Sequence, residues 1–325
     1  MDVPVKQYQE WIEKEIRSQR YGKSPPSLYE PISYLMGLEG KRLRPLFTLF
    51  GYGLFKSDVR SVVKYAVAVE AFHNFTLMHD DIMDKAPLRR GEPTVHEKWN
   101  VNTAILSGDV MLVKVYDMLL DIELKKLIKV LRAFNKCASE VCEGQQWDME
   151  FEKLETVSEK VYLNMIRLKT AVLMGFSLEF GAILAGAPEK DCMALREFGT
   201  NIGVGFQLKD DLLDAYGDPK KFGKQLGGDI IANKKTFLLI KALERANGDE
   251  QDELNKWLSA KSFDKGEKVN AVRNVYDALG IATLAERKVG HYFKKGFASL
   301  EKVKGGSGKI EGLKTFTKAL IERQS

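Results

Sequence analysis

Cysteine is scarce in this chain. The only three, Cys137, Cys142 and Cys192, include no C-x-x-C spacing. That excludes a disulfide framework or a thiolate zinc site as the organising device and suits reduced thiols in a cytoplasmic protein. Histidine is scarcer relative to its usual roles: His73, His79, His96 and His291 form no E-x-x-H set, which argues against a helical di-metal storage protein. Charge of one sign is also missing. Fifty basic residues face 45 acidic ones, net +5, too mild a balance to imply nucleic acid as a partner. No apolar run approaches the roughly 20 residues of a membrane span, so stable membrane insertion is not expected. The charged N-terminus lacks a signal-peptide core, and neither end carries a lipidation signal.

Only nine prolines occur, mostly between periodic segments, where helix punctuation belongs. Period-two strand patterns are not visible, whereas helical periodicity runs nearly throughout. The spacing predicts helices over 5–19, 27–37, 42–53, 58–83, 94–119, 123–146, 155–185, 190–216, 230–246, 249–259, 265–299 and 308–323. Apolar residues spread around most of each long helix, as in helices buried on several sides. No linker, repeat or low-complexity tract divides the chain. The expectation is an all-α protein forming a single domain over residues 1–325.

Two aspartate-rich segments carry the chemistry: Asp80-Asp81-Ile-Met-Asp84 and Asp210-Asp211-Leu-Leu-Asp214. Helical residues three and four apart share a face, so each triplet should form a carboxylate cluster. Carboxylates set among apolar residues need cations, and hard oxygen ligands suit Mg²⁺ bridged to substrate phosphates. Two such clusters facing each other would receive a magnesium diphosphate.

Basic residues follow the same logic. Arg89-Arg90 lies just beyond the first triplet, after Pro87 and before Gly91, which should end the helix. The arginine fork suits bidentate phosphate contact, although an RR pair can equally be a solvated loop. Lys41 and Arg44, in Gly40-Lys41-Arg42-Leu43-Arg44-Pro45, open a helix, where exposed N–H groups and the dipole also favour an anion. Lys169, beside Thr170 in an apolar helix, either snorkels to the surface or points into a polar cavity. Gln207 precedes the second triplet by about one turn. The polar stretch from Gly217 through Gly227-Gly228-Asp229 to Asn233-Lys234-Lys235-Thr236 either closes over a phosphate or merely joins two helices.

Taken in order, GKRLRP, DDIMD…RRG, GQQWD, RLKT, FQLKDDLLD and GGD…NKKT resemble the motifs of the trans-isoprenyl diphosphate synthases, the farnesyl/geranylgeranyl diphosphate synthase family. The resemblance covers essentially the whole chain. It implies a bundle of about a dozen helices around a deep central cavity (the isoprenoid synthase type I fold), usually in a homodimer. The implied reaction is Mg²⁺-dependent 1′-4 condensation of isopentenyl diphosphate with an allylic diphosphate (dimethylallyl, geranyl or farnesyl). Asp80, Asp84 and Asp210 would be the principal Mg²⁺ ligands, with Asp81, Asp211 and Asp214 assisting directly or through water. Arg89, Lys169 and Lys234 would hold the allylic diphosphate, and Lys41, Arg44, His73 and Arg90 isopentenyl diphosphate. Gln207 and the Thr170 carbonyl would face the developing allylic cation, while Gln145 and Asp148 would line or support the metal site.

In that family an aromatic five residues before the first motif limits product length. Here this residue is Phe75, roughly 7.5 Å below Asp80 along a helix, with Phe72 roughly 12 Å below. The neighbouring Thr76 is small, where farnesyl-forming members often carry a second aromatic. Geranylgeranyl diphosphate (C20) is the expected product, with farnesyl diphosphate (C15) the alternative; Phe72 and Phe75 could also be packing residues. A class I terpene cyclase would usually replace the second triplet and would not need GKRLRP and RRG. A non-catalytic synthase subunit would generally lose motif aspartates, and none is missing.

Overall fold

The computed structural model describes residues 4–217 and 227–323. Among them are fifteen helices, thirteen of at least seven residues, and one two-stranded antiparallel hairpin, Leu88–Arg89 with Glu92–Pro93. The all-helical expectation holds. The hairpin is absent from the periodicity reading because two residues per strand cannot display a period of two. Residues 218–226, part of the polar stretch singled out above, lie outside the described residues.

The chain divides into two compact units, neither a contiguous stretch of sequence. The first comprises Met1–Lys136, Leu173–Arg196 and Leu300–Leu320; the second comprises Cys137–Val172, Glu197–Ser299 and Ile321–Ser325.

In the first unit the helix Val63–Met83 is central, packed by Val101–Leu119, Leu43–Gly53 and Val5–Ser18. Its apolar residues point several ways, so Ala66, Val67, Ala71 and Phe72 are all buried. Phe72 meets Phe134 edge to face at 5.0 Å, and Phe134 continues through Phe176 to a stacked Phe180. Burying one such ring contributes about 2–3 kcal/mol. The expected helix over 94–119 is two pieces, Val95–Lys98 and Val101–Leu119. Asn100 sits in extended backbone, and its side chain accepts from the Thr103 N–H at 2.8 Å, capping the second piece.

In the second unit Leu238, Ala242, Leu254, Trp257, Val272 and Tyr276 form a core joining the helices Phe237–Arg245, Gly248–Ser259 and Lys265–Ala278. The expected helix over 265–299 breaks between Lys265–Ala278 and Ile281–Leu300. Gly280 takes φ 65° there, the left-handed conformation that ends helices and that glycine adopts without steric cost. The expected helix over 230–246 is likewise interrupted, Gly228–Ile231 preceding Phe237–Arg245.

Residues 159–185 are long and apolar enough to cross a membrane by length and composition, contrary to the sequence expectation, but 78% of their most apolar window is buried inside the protein. They read as core helix. Within them the turn Arg167–Ala171 is π-helical, the Val172 N–H donating to the Arg167 carbonyl five residues back. Gly144 makes this possible: a Cβ there would stand 2.1 Å from the Lys169 nitrogen.

Candidate active site

The first triplet occupies the C-terminal end of the 63–83 helix, with Asp84 as its C-cap. The chain leaves at Lys85, at φ 50°, two residues before the Pro87 expected to stop it. Asp81 is buried, Asp80 is half-buried and Asp84 is exposed, so the three carboxylates do not share one environment. The hairpin turns at Arg90-Gly91, with φ values of 56° and 82°, as a tight two-residue hairpin loop of the primed type requires. That reversal sends the adjacent arginines to different partners. Arg89 donates Nε to Asp81 Oδ1 at 3.0 Å and also bonds it through Nη2. Arg90 instead donates Nη1 to the Leu38 carbonyl at 3.3 Å. Burial pushes the Asp81 carboxyl up, and Arg89 pulls it back only in part.

His73 lies two turns before Asp80 on the same helix. Burial, together with Arg44, Arg90, Arg89 and Arg42, holds its imidazole well below the usual histidine range. Of these four guanidinium groups, Arg42 and Arg89 are already paired with carboxylates; Arg44 and Arg90, which act most strongly on this ring, are the cations placed to meet an added anion. Lys41 is exposed and Arg44 half-buried at the first turn of Leu43–Gly53. Arg42, expected inside that helix, is its left-handed N-cap at φ 47°.

Below the triplet, Phe75 is half-buried and meets Phe72 at 5.7 Å and the His79 ring at 4.9 Å. Thr76 Oγ1 donates to the His73 carbonyl at 2.8 Å. Phe72 is committed to the aromatic core.

In the second unit Asp210 is exposed, Asp214 half-buried and Asp211 buried; the middle carboxylate is again the buried one, while the outer two exchange exposures. Asp211 accepts a short hydrogen bond from the Tyr162 hydroxyl and a longer one, 3.4 Å, from Gln207 Nε2. Desolvation and then Asp229 push its carboxyl up to about 7, against Tyr162, Lys234 and Gln207, which pull it down. Asp214 Oδ2 accepts the Asp229 N–H at 2.9 Å, and the Asp229 carbonyl accepts the Lys234 N–H at 2.9 Å. Asp211, Asp214, Asp229, Asn233 and Lys234 all line one pocket, floored by Leu238, Val272 and Tyr276. Lys169 leaves the π turn and bonds Asp148 Oδ2 at 2.6 Å, joining the RLKT and GQQWD segments; Thr170 is half-buried beside it.

Four residues escaped sequence reasoning: Arg42, Glu70, Tyr162 and Lys268. Tyr162 is 49 residues from its aspartate and carries no local pattern. Lys268 is fully buried and donates to Asn233 Oδ1 at 2.6 Å and the Ile231 carbonyl at 3.2 Å, fixing the backbone just before Lys234.

Among the described residues no three His, Cys, Asp or Glu side chains converge into a closed metal cage. Magnesium does not require one. It usually takes one or two carboxylates and completes its shell with water and substrate phosphate, and the outward Asp84 and Asp210, all-oxygen donors, fit that mode.

The family model for polyprenyl synthetases matches residues 25–277. The short chain isoprenyl diphosphate synthase of Methanocaldococcus jannaschii is 42% identical over 252 residues, 77% of this chain and 76% of that protein. A crystal structure of a geranylgeranyl pyrophosphate synthase superposes with a TM-score of 0.94 at 41% identity, covering 99% of each chain. The Corynebacterium glutamicum geranylgeranyl pyrophosphate synthase, solved with isoprenyl diphosphate and magnesium, gives 0.86 at 27% identity over 99% of this chain and 100% of that one. With the ordered motifs in place, the chain belongs to the polyprenyl synthetase family, among its short-chain isoprenyl diphosphate synthases.

Proposed function

We propose that this short-chain synthase makes geranylgeranyl diphosphate (C20) by successive 1′-4 condensations of isopentenyl diphosphate onto an allylic diphosphate. The observation that carries it is the placement of the hairpin arginines in the unit that holds the first triplet: Arg89 on Asp81, and Arg90 on the Leu38 carbonyl beside Gly40 of the GKRLRP segment, cations gathered where a diphosphate would meet them. The C20 product is supported by Phe75 beside the small Thr76 and by the name of the structural relative at 41% identity.

Asp80, Asp84 and Asp210 hold magnesium in this scheme, with Asp81, Asp211 and Asp214 in support. Magnesium held by these carboxylates would supply positive charge to the departing pyrophosphate and so favour C–O ionisation. Arg89, Lys169 and Lys234 hold the allylic diphosphate, Lys169 exchanging Asp148 for phosphate oxygen. Lys41, Arg44, His73 and Arg90 hold isopentenyl diphosphate so that its double bond meets the allylic cation. Gln207 and the Thr170 carbonyl face that cation, and apolar walls keep water from quenching it. Loss of a proton to the released pyrophosphate completes each extension. Gln145 and Asp148 support the metal site, and Phe75 is the floor.

The 325 residues act as one cytoplasmic catalytic domain in this proposal; the interleaving of the two units along the sequence supports the single domain. A homodimer is part of it too, supported by the exposed stripe Leu106, Val113 and Leu120, at seven-residue spacing along one helix face.

The test is incubation with isopentenyl diphosphate, Mg²⁺ and dimethylallyl, geranyl or farnesyl diphosphate in turn, followed by chromatography of the dephosphorylated products. The C20 alcohol is expected from all three. A C15 end point would replace the product assignment and keep the reaction, whereas no condensation with any primer would remove both.

A further inference from the structure

Arg42 stands between the two cations of GKRLRP, yet its side chain is turned into the protein and is 4% exposed. Its backbone is left-handed at φ 47°, a conformation unfavourable for any residue with a Cβ. Something must hold it there, and the guanidinium shows what. Nε donates to Glu13 Oε1 at 2.8 Å, and Nη1 to Glu70 Oε1 at 2.9 Å. Nη2 donates to the Met36 carbonyl at 2.9 Å and the Leu38 carbonyl at 2.8 Å. One rigid fork thus ties the first helix, the 63–83 helix and the end of the helix Pro26–Gly37 to a single point.

The Leu38 carbonyl also accepts Arg90 Nη1 at 3.3 Å, and a Cβ at Gly40 would fall 3.0 Å from the Arg90 guanidinium. Arg90 is therefore seated on the very turn that Arg42 holds. Glu70 lies one helical turn before His73, and Asn74 Nδ2 donates to the Glu70 carbonyl at 2.8 Å. The backbone carrying Lys41 and Arg44, the resting place of Arg90 and the helix carrying His73 all converge on the Arg42–Glu70 pair.

We propose that Arg42 is a positioning residue for isopentenyl diphosphate: paired with Glu70, it fixes the 38–44 turn so that Lys41, Arg44 and Arg90 meet one diphosphate together. This rests on the assignment of those three cations made above. A preset backbone spares the substrate the entropy of ordering three long side chains, and only a planar fork with five donors can serve four acceptors at once.

Arg42→Lys keeps the charge and loses the fork. KM for isopentenyl diphosphate should rise about tenfold, with kcat and KM for the allylic substrate within about twofold, because only uniform binding of one substrate is weakened. Because a lysine left among four acceptors can also compromise folding, a second variant, Arg42→Met/Glu70→Met, replaces the buried pair with apolar groups, an exchange proteins often tolerate. It should show the same selective rise. Arg44→Ala serves as the reference for the site itself. If it raises KM for isopentenyl diphosphate while either folded Arg42 variant leaves it unchanged, the positioning role is overturned. Equal losses for both substrates would also overturn it, by showing a general structural defect. If Arg44→Ala leaves that KM unchanged, the substrate assignment falls first and takes the positioning role with it.

Discussion

In the first triplet the buried aspartate faces a guanidinium; in the second it faces a phenol and an amide, with Asp229 nearby adding charge of its own sign. The two segments are near-identical as sequence, D-D-x-x-D in an apolar helix. Each keeps its middle carboxylate inside and leaves the outer two closer to solvent. The difference lies in compensation. Asp81 has a formal countercharge from its own unit, whereas Asp211 is stabilised only by neutral donors and by the more distant Lys234. A motif of this kind therefore specifies where carboxylates stand, while the surrounding fold decides how each is neutralised.

The hardest way to break the comparison is to delete an outer carboxylate from each triplet. Asp80→Ala and Asp210→Ala should each lower kcat/KM by about a thousandfold or more, of order 4 kcal/mol of barrier. Melting temperature should hold or rise, because a like charge is removed from an acidic cluster. Groups that act as a unit are not additive, so the double variant should be little worse than the poorer single one. Losses that multiply in radiolabelled isopentenyl diphosphate incorporation would show two independent sites.

Removing the internal partners comes next. Arg89→Met leaves Asp81 buried without its cation and should cost about 3 kcal/mol of stability. Tyr162→Phe removes one hydrogen bond to a buried carboxyl and should cost about 1–2 kcal/mol. Urea unfolding of both variants without metal measures the gap, and equal costs would erase the distinction between charged and neutral compensation.

Gly144→Ala tests the second unit alone. Its Cβ would press on the Lys169 backbone, and over-packing of this kind costs about 1–3 kcal/mol. The π turn should shift and allylic turnover fall about tenfold; wild-type turnover would mean that the turn is not needed to present Lys169.

The smallest effect on rate concerns the space beneath each triplet. Five residues before Asp80 stands Phe75; at the same offset before Asp210 stands Gly205, packed on Phe293. At that offset only the first triplet has an aromatic side chain. Phe75→Ala should lengthen the product with little loss of rate, seen as a later band in product chromatography. Phe72→Ala should instead cost about 3–5 kcal/mol of stability and leave the length alone. An unchanged distribution for Phe75→Ala would return that ring to simple packing.

The helical architecture was legible because apolar periodicity is a local property, repeated over many turns. The candidate residues were legible because carboxylates and guanidiniums in apolar surroundings are costly and so stand out. What was hidden depends on pairing across the chain or on one backbone angle. Arg42 looks like a third cation of GKRLRP until its left-handed φ turns it inward. Tyr162 acquires meaning only beside Asp211. Asn100 and Gly280 mark the helix breaks, but apolar periodicity runs on either side of each and hides them. Residue type leaves Arg89 and Lys169 open and only the family resemblance assigns them to phosphate; no spacing rule shows that each also has an acidic partner waiting, Asp81 and Asp148.

The turn at Arg90-Gly91 makes two chemically identical neighbours non-interchangeable. Arg89 ends the first strand and Arg90 opens the left-handed loop, so one arginine serves the aspartate while the next serves the Leu38 carbonyl. Backbone position assigns the tasks, and chemistry does not distinguish them. A single residue inserted between Pro87 and Arg89 would keep both cations and move both off these positions. Composition would be preserved there and wiring lost, which makes the length of this short hairpin as much a determinant of the site as the charges it carries.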